Sequence, residues 1–385
     1  MPAQDKPYRV YRGGRVKGRV PLERRLAGPE AAGTARPGAL PRRRRFRVRW
    51  KLVLALAVPT ILLLVVLWGA GTYLSLSHGI GDANARVPES VNRLLTNQSG
   101  LLSSTPTTIL VLGTDGGEAG RAGSRRSDSI MLVRTDPSKH RLAFLSIPRD
   151  LRVDIPGYGT SKINAAFQAG GPTLALRTVK ELTGLEINHV AFVDFAKFKQ
   201  LIDSVGGIEV NVPKPILSNR FDCPYATAAR CRAWKGWRFE KGTQHMNGQR
   251  ALIYSRIREN RLDPSETDFA RGKRQQQVVQ ATASKVTGFW NAIRMPFLAG
   301  KVVKPLATDL SAWQLLQLGW AYARAQKSRA LHCRLGGDGE TIGGESVIVG
   351  SEDNPATIAM FTGQSAPLPP PKGLPYAPGC TVGEG

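Results

Sequence analysis

From Leu52 to Leu74 the chain runs for 23 residues without a charged side chain, and Pro59 is the main interruption. At 1.5 Å per residue, a helix of that length extends about 34 Å, enough to cross the hydrocarbon core of a bilayer. Whatever else folds must then fold on one side of the membrane or the other, and the flanks say which. Ahead of the run stands Pro41-Arg42-Arg43-Arg44-Arg45-Phe46-Arg47-Val48-Arg49-Trp50-Lys51; behind it come Ser75, Ser77, His78 and Asp82, with Arg86 the first cation. Cytoplasmic flanks carry the excess of Lys and Arg, so residues 1–51 are assigned to the cytoplasm and everything after about residue 75 to the outside. A cleaved signal peptide is the competing reading. The apolar run is longer than a usual signal core, and no small-x-small cleavage site follows it cleanly.

Charge separates the chain in the same way. The formal net charge is +25, and residues 1–51 supply about half of it, with sixteen Lys and Arg against Asp5, Glu23 and Glu30. That segment also holds Pro2, Pro7, Pro21, Pro29, Pro37 and Pro41 and no sustained apolar period, the composition of a disordered tail. Its arginines serve topology and attraction to anionic lipid, and nucleic acid is not expected as a partner. The remaining positive charge belongs to the exported part and needs its own explanation. All four cysteines lie there. An even number beyond a membrane span suggests two disulfides, and Cys223–Cys231 with Cys333–Cys380 is the locally sensible pairing of the three available. No C-x-x-C pair occurs, and His78, His140, His189, His245 and His332 are scattered singly, which argues against zinc.

Beyond a polar stalk at 75–105, Thr107–Gly113 reads as a buried strand, and Ser129–Arg134 and Arg141–Ile147 read as two more. Asp136-Pro137-Ser138-Lys139 has turn chemistry and makes the last two a hairpin. Helical spacing follows at about 172–183, a strand near His189–Val193 and a helix near 195–204. Gly206-Gly207 ends that helix before a strand at Ile208–Val212. Two longer helices fit about 247–255 and 268–287, and residues 330–365 read as a closing hairpin or sub-domain. From about 364 the chain turns Pro/Gly-rich, an extended tail pinned by Cys380. This alternation gives a three-layer α/β/α domain with a mixed parallel and antiparallel sheet, following one transmembrane helix.

Several catalytic signatures are absent: G-x-S-x-G, H-E-x-x-H and G-x-x-x-x-G-K-[ST]. Gly113-Thr114-Asp115-Gly116-Gly117 follows a strand but lacks dinucleotide-binding spacing. What remains is arginine and aspartate at the ends of strands and helices. Asp115 follows the first strand, and a Gly/Ser/Arg loop delivers Arg125, Arg126 and Asp128 to the second. Pro148-Arg149-Asp150 ends the third, with Lys162-Ile163-Asn164 in the loop beyond. In Tyr254-Ser255-Arg256-Ile257-Arg258, an extended backbone would put both guanidinium groups on one face. Asp268, Arg271, Arg274 and Gln275 share one face of the helix at 268–287. Arginine offers planar, bidentate, permanently charged donors suited to phosphate, and two aspartates beside them suit a magnesium ion shared with phosphate oxygens. Such a set favours a diphosphate substrate.

On these residues the chain resembles the LytR-CpsA-Psr family of wall-glycopolymer ligases. The resemblance runs from about Thr107 to about Lys285 through six ordered segments: Leu112–Asp115, Arg126–Met131, Ser146–Asp150, Lys162–Phe167, Tyr254–Arg258 and Asp268–Gln276. It implies a catalytic domain at 106–290, continued at 291–363 and followed by a tail at 364–385. The Arg-, Ala- and Gly-rich style is similar to actinobacterial members. The implied reaction moves a glycopolymer phosphate from a polyprenyl diphosphate carrier to a peptidoglycan sugar hydroxyl at the outer face of the bilayer. By that resemblance Asp115 and Asp128 hold Mg²⁺, and Arg126, Arg149, Arg256, Arg258, Arg271 and Arg274 grip the diphosphate with Lys162 and Gln275. Asp268 orients an arginine or accepts the attacking proton, and the helices at about 172–204 line a slot for the lipid chain. The 116–127 loop and the Cys223–Cys231 insertion depart from the family pattern. Two alternatives stay open: a hydrolase of the same lipid diphosphate, and a membrane-bound transcriptional attenuator. The attenuator would need its folded domain in the cytoplasm.

Overall fold

A computed structural model describes residues 50–114, 127–264, 266, 268–371, 374 and 376–383, without the side chains of Leu52, Asp128, Asp268 and Phe269. The expectation of a disordered tail therefore falls almost wholly outside the described residues. The chain divides into two units, Met1–Ala55 and Leu56–Gly385, and the first contributes only the opening of helix α1.

Helix α1 spans Trp50–Asn84. The most apolar window within its Val53–Asn84 stretch has a mean hydropathy of 2.5, and none of that window is buried. The helix continues ten residues past the apolar run, into the segment expected as a stalk. The reason is a stripe at helical spacing: Leu76, Ile80 and Ala83 are buried against Ala299, Val303 and Ala312.

The elements that follow in chain order are β1 (Thr107–Thr114), β2 (Ser127–Asp136), β3 (Arg141–Ile147), β4 (Leu151–Ile155), β5 (Gly159–Lys162), α2 (Asn164–Thr183), β6 (His189–Asp194), α3 (Phe195–Ser204) and β7 (Ile208–Val212). Then come β8 (Gly242–Met246), α4 (Gly248–Arg256), α5 (Asp268–Thr287), α6 (Met295–Val303), β9 (Ala307–Thr308), α7 (Ala312–Arg324) and β10 (Leu331–Arg334). The last are β11 (Gly337–Ile342), β12 (Glu345–Gly350), α8 (Asn354–Thr362) and β13 (Gly379–Val382).

The central sheet has the order β9-β6-β1-β2-β3-β10-β13. β1 pairs antiparallel with β2 and β2 with β3, whereas β6 joins β1 and β10 joins β3 in parallel. Alternation along the strands sends Leu110, Leu112, Ile130, Leu132 and Leu145 to one face, against Ala175, Leu176 and Val179 of α2 and Phe361 of α8. The opposite face carries Val111, Met131, Val133 and Phe144 against Val279 of α5 and Tyr322 of α7. These are the three layers expected from sequence. A second core lies beside them, where Ile202, Val210, Ile253, Tyr254 and Val278 pack under the antiparallel β7–β8 ribbon.

Residues 330–365 are not a separate sub-domain. β10 enters the central sheet because Leu331 and Cys333 alternate into its core, and the β11–β12 hairpin extends a second sheet of order β11-β12-β4-β5. Helix α2 begins earlier than its sequence period suggested and bends at Gly170 and Gly171. Both expected disulfides are present. Cys333 and Cys380 are register partners on β10 and β13, so the bridge fastens the C-terminal tail to the sheet.

Candidate active site

At one end of the β1–β2 pair, Gly113 faces Ser129 and Thr114 faces Ser127, which leaves Asp128 as the extra residue of a bulge. Asp115 follows Thr114 directly in the chain. Asp115, Arg125 and Arg126 lie outside the described residues, as do the side chains of Asp128 and Asp268. Among the described residues no cluster of three or more His, Cys, Asp or Glu side chains forms a metal site. Carboxylates are ligands that Mg²⁺ takes, whereas zinc would require histidine or thiolate.

β3 ends at Pro148-Arg149-Asp150, where Arg149 Nε lies 3.4 Å from the Asp150 carboxylate. Lys162 approaches the same carboxylate at 3.9 Å and Glu345 at 3.2 Å. Lys162, expected to grip phosphate, is not among the residues that line the cavity described below. It braces Arg149 through Asp150.

The Tyr254–Arg258 segment is not extended as the alternation argument required. Asn247 caps α4 by accepting from Arg250 N, and Ala251, Leu252, Ile253, Tyr254 and Ser255 are all buried in the helix. The helix stops at Arg256, and the extended Ile257, itself buried, turns Arg258 outward. Both arginines nevertheless reach one cavity. Tyr254 donates to Gln277 Oε1 at 2.8 Å, and burial pushes its phenol up to about 12.

On α5, Arg271, Gln275, Val278 and Val279 face that cavity. Arg274 does not. It is 4% exposed, donates to the Ile257 carbonyl at 2.9 Å and pairs with Glu266, which also meets Lys214 at 2.8 Å. Expected to grip phosphate, it is a buried guanidinium bonded on two sides, and it holds the loop that presents Arg256 and Arg258. The acidic segment near 263–266 thereby neutralises a structural arginine.

The cavity measures about 660 Å³ and has two characters. Its polar lining is Arg149, Arg256, Arg258, Arg271, Gln275, Ser129 and Asn219, and its apolar lining includes Val111, Val193, Phe195, Phe198, Phe221, Leu252 and Val278. Ser129 Oγ donates to Gln275 Oε1 at 3.0 Å, tying the strand to the helix. Arg256 meets both kinds of lining. Its guanidinium stands 4.8 Å from the Phe195 ring centre and 5.7 Å from that of Phe221, and pairs with Asp222. Asp222 takes a left-handed backbone (φ 48°) immediately before the Cys223–Cys231 bridge. Phe195 and Phe198 fall within the helices at about 172–204 expected to line a lipid slot, although neither was singled out, whereas Phe221 and Asp222 were missed. The Phe195/Phe198 spacing on one helix face was the only signal available.

A smaller cavity, about 320 Å³, opens on the other side of α5. The larger lies over β6, β1 and β2, and the smaller over β3, β10 and β13, so the sheet order sets them on opposite flanks of the helix. They share Arg149, Arg271 and Gln275. Its floor is a polar chain in which Gln276 donates to Ser146 Oγ at 2.8 Å and to the Cys333 carbonyl at 3.0 Å, with His332 Nδ1 2.8 Å from Gln276 Oε1. Burial pushes His332 down to about 4, so the ring is neutral. Lys273, Arg334 and Thr381 stand around it, and Pro369–Pro371 of the tethered tail form one wall.

Residues 80–360 match the LytR_cpsA_psr family. "Regulatory protein MsrR" of Staphylococcus aureus is 34% identical over 217 residues, 56% of this chain. That match spans 60% of the length of MsrR. "Polyisoprenyl-teichoic acid--peptidoglycan teichoic acid transferase TagU" of Enterococcus faecalis is 30% identical over 266 residues, 69% of this chain and 80% of TagU. Among solved structures, TagV of Bacillus subtilis superposes with a TM-score of 0.53 at 27% identity, over 67% of this chain and 96% of TagV.

Proposed function

The chain belongs to the LytR-CpsA-Psr family, and from that premise we propose that it is a membrane-anchored phosphotransferase. It moves a glycopolymer, with its phosphate, from a polyprenyl diphosphate to a sugar hydroxyl of peptidoglycan. One observation carries the reading: a single cavity joins Arg149, Arg256, Arg258 and Arg271 to a wall of Phe and Val side chains. A molecule that meets both kinds of lining has an anionic head and a long apolar tail, and a lipid diphosphate is that molecule. The name of TagU, a transferase of polyisoprenyl-linked teichoic acid, supports the same donor class.

In the reaction, the acceptor hydroxyl oxygen bonds to the sugar-side phosphorus, and the bond from that phosphorus to the bridging oxygen breaks. The polymer keeps one phosphate and polyprenyl monophosphate leaves with the other. Attacking and leaving oxygens in such a transfer stand roughly in line. If the leaving lipid phosphate occupies the larger cavity, the hydroxyl arrives from the opposite flank of α5, where the smaller cavity meets the same Arg149, Arg271 and Gln275. We assign the acceptor sugar to that smaller cavity. The arginines neutralise charge on the departing phosphate, each by a charge-assisted hydrogen bond of roughly 1.5–3 kcal/mol. Asp268, one helical turn before Arg271, is the carboxylate we assign to the hydroxyl's proton. Asp115 and Asp128 would hold Mg²⁺, which when bound supplies further positive charge to the diphosphate oxygens. Helix α1 anchors the chain with the domain on the outer side, where lipid-linked polymer and peptidoglycan meet.

The test uses the full chain in detergent with a short-glycan polyprenyl diphosphate, with and without peptidoglycan oligosaccharide, in Mg²⁺ or EDTA. Release of polyprenyl monophosphate that needs both acceptor and Mg²⁺ supports the reading. Release that ignores the acceptor makes the protein a hydrolase.

A further inference from the structure

The residues between α5 and α6 press on α1 inside its apolar run. Trp68 Nε1 donates to the carbonyls of Ala292 and Ile293, each at 3.1 Å. Gly71 lies against Pro296, so closely that an added Cβ would stand 3.2 Å from the proline Cβ. Further along, Gly300 N donates to Ser75 Oγ at 3.1 Å, and an added Cβ on Gly79 would meet Gly300 Cα at 2.8 Å. Helix α6 thus climbs outward beside α1 at backbone contact, a small-residue helix pairing familiar within bilayers. Trp68 lies six residues before the end of the apolar run, about 9 Å along the helix. Where α1 crosses a membrane, the short helix Phe289–Ile293 and the start of α6 therefore lie below the level at which the apolar run emerges.

Their exposed side chains fit that depth. Phe289 is 71% exposed, Trp290 76%, Ile293 50% and Phe297 82%. At the end of the Phe289–Ile293 helix the Ala292 carbonyl accepts from the capping N–H of Arg294, which leaves it a second lone pair to satisfy. Water would satisfy it, but hydrocarbon would not, and the Trp68 indole supplies the donor. Lys301 and Lys304, both exposed, lie further along, toward the outer end of α1, at the level of anionic headgroups. Arg294 is exposed among the aromatics, with a stem long enough to snorkel outward.

We propose that residues 289–297 form a shelf that dips into the outer leaflet beside α1, so that the domain is seated in the membrane rather than held above it. The inference rests on α1 spanning the bilayer and not on the transferase reading. It has a consequence for the donor's path. Helix α6 packs on α3, whose Phe195 and Phe198 line the large cavity, so the shelf stands next to the wall a lipid tail would follow. A polyprenyl chain could then enter the cavity without crossing water.

The shelf is testable because all four cysteines are in disulfides, so an added cysteine is the one free thiol among the described residues. A nitroxide is placed at Phe297→Cys in the full chain in phosphatidylglycerol-containing vesicles, and its accessibility to oxygen and to a water-soluble nickel chelate is compared with two references. Leu63→Cys reports mid-span, and Tyr158→Cys reports an exposed aromatic, 59% accessible, in the β4–β5 turn. The shelf predicts an oxygen-to-nickel ratio at position 297 at least about fivefold above that at 158, approaching position 63, as for a side chain 5–10 Å into the acyl boundary. If 297 matches 158 while 63 reads as lipid, the shelf is wrong and the anchor stands. If 63 also reads as water, the anchor reading falls with it. Dipolar broadening at 297, with both probes excluded, would assign the patch to a second copy of the chain and overturn the lipid assignment. A second label at Trp290→Cys decides the question if the first variant does not fold.

Discussion

Replacing Arg256 by alanine removes a cation that meets both the charged and the aromatic lining of the large cavity. Its guanidinium pairs with Asp222 and stands over Phe195 and Phe221, with 14% of the side chain exposed. Two magnitudes follow. Loss of a charge-assisted bond to the donor's diphosphate costs roughly 1.5–3 kcal/mol, which is roughly a 10- to 150-fold loss in kcat/KM at about 1.4 kcal/mol per tenfold. The fold loses less. Asp222 keeps 32% of its side chain in solvent, so water can take over part of the missing contact and the stability change stays near 1 kcal/mol. In a domain of this size that lowers Tm by about 2–4 °C. Initial rates of glycan transfer at subsaturating donor, with a thermal melt of the same preparation, separate the two effects. Arg256→Lys should recover only part of the loss, because a point charge replaces a planar fork. A folded Arg256→Ala variant that transfers within threefold of wild type would refute the phosphate grip assigned to this residue.

Thr381→Trp, at the exposed rim of the smaller cavity, should raise the acceptor KM about tenfold while leaving lipid-diphosphate binding unchanged, as read by acceptor titration beside a donor-binding isotherm. Phe198→Glu puts a carboxylate in the apolar wall, so affinity should fall steeply for a long-chain donor and little for a soluble short-chain one. Cys333→Ser with Cys380→Ser unties the C-terminal tail; closing a loop of 47 residues is worth roughly 2–4 kcal/mol, to be read as a lower midpoint in urea. Burial lowers His332 to about 4. Its contribution to stability is therefore full above the ordinary histidine pKa of about 6.5 and is lost as pH falls toward 4, by an amount of order 3 kcal/mol. A His332→Gln variant should show a flatter urea midpoint between pH 7 and 4.

The sheet was legible because its strands are short apolar runs bounded by Gly, Pro and Asp, and one-dimensional patterning is enough to find those. The hairpin at Asp136–Lys139 and the stop at Gly206-Gly207 carried their own turn chemistry. The arginines could be found as a class but not sorted by role. Arg271 and Arg274 share a helix and a spacing; what separates them is Glu266 and the Ile257 carbonyl, partners set by a loop whose path no periodicity encodes. Lys162 likewise depends on Glu345, which lies far along the chain. The aromatic wall was legible only as a helix range expected to line a lipid slot, not residue by residue. Phe195 and Phe198 look like ordinary core positions, and Phe221 and Asp222 sit in an insertion without a pattern until the Cys223–Cys231 bridge closes it. The helical extension of α1 was readable in Leu76, Ile80 and Ala83, but serine, histidine and glycine between them gave the stretch the look of a stalk.

The central claim is that phosphorus, not only sugar, moves to the acceptor. A polyprenyl diphosphate donor carrying ³²P solely in the sugar-side phosphate, incubated with the full chain, Mg²⁺ and peptidoglycan oligosaccharide, tests it directly. The account predicts radiolabel in a phosphodiester on the glycan and unlabelled polyprenyl monophosphate in the lipid phase. Label that stays with the lipid as a diphosphate, or that appears as sugar phosphate in water, would contradict it.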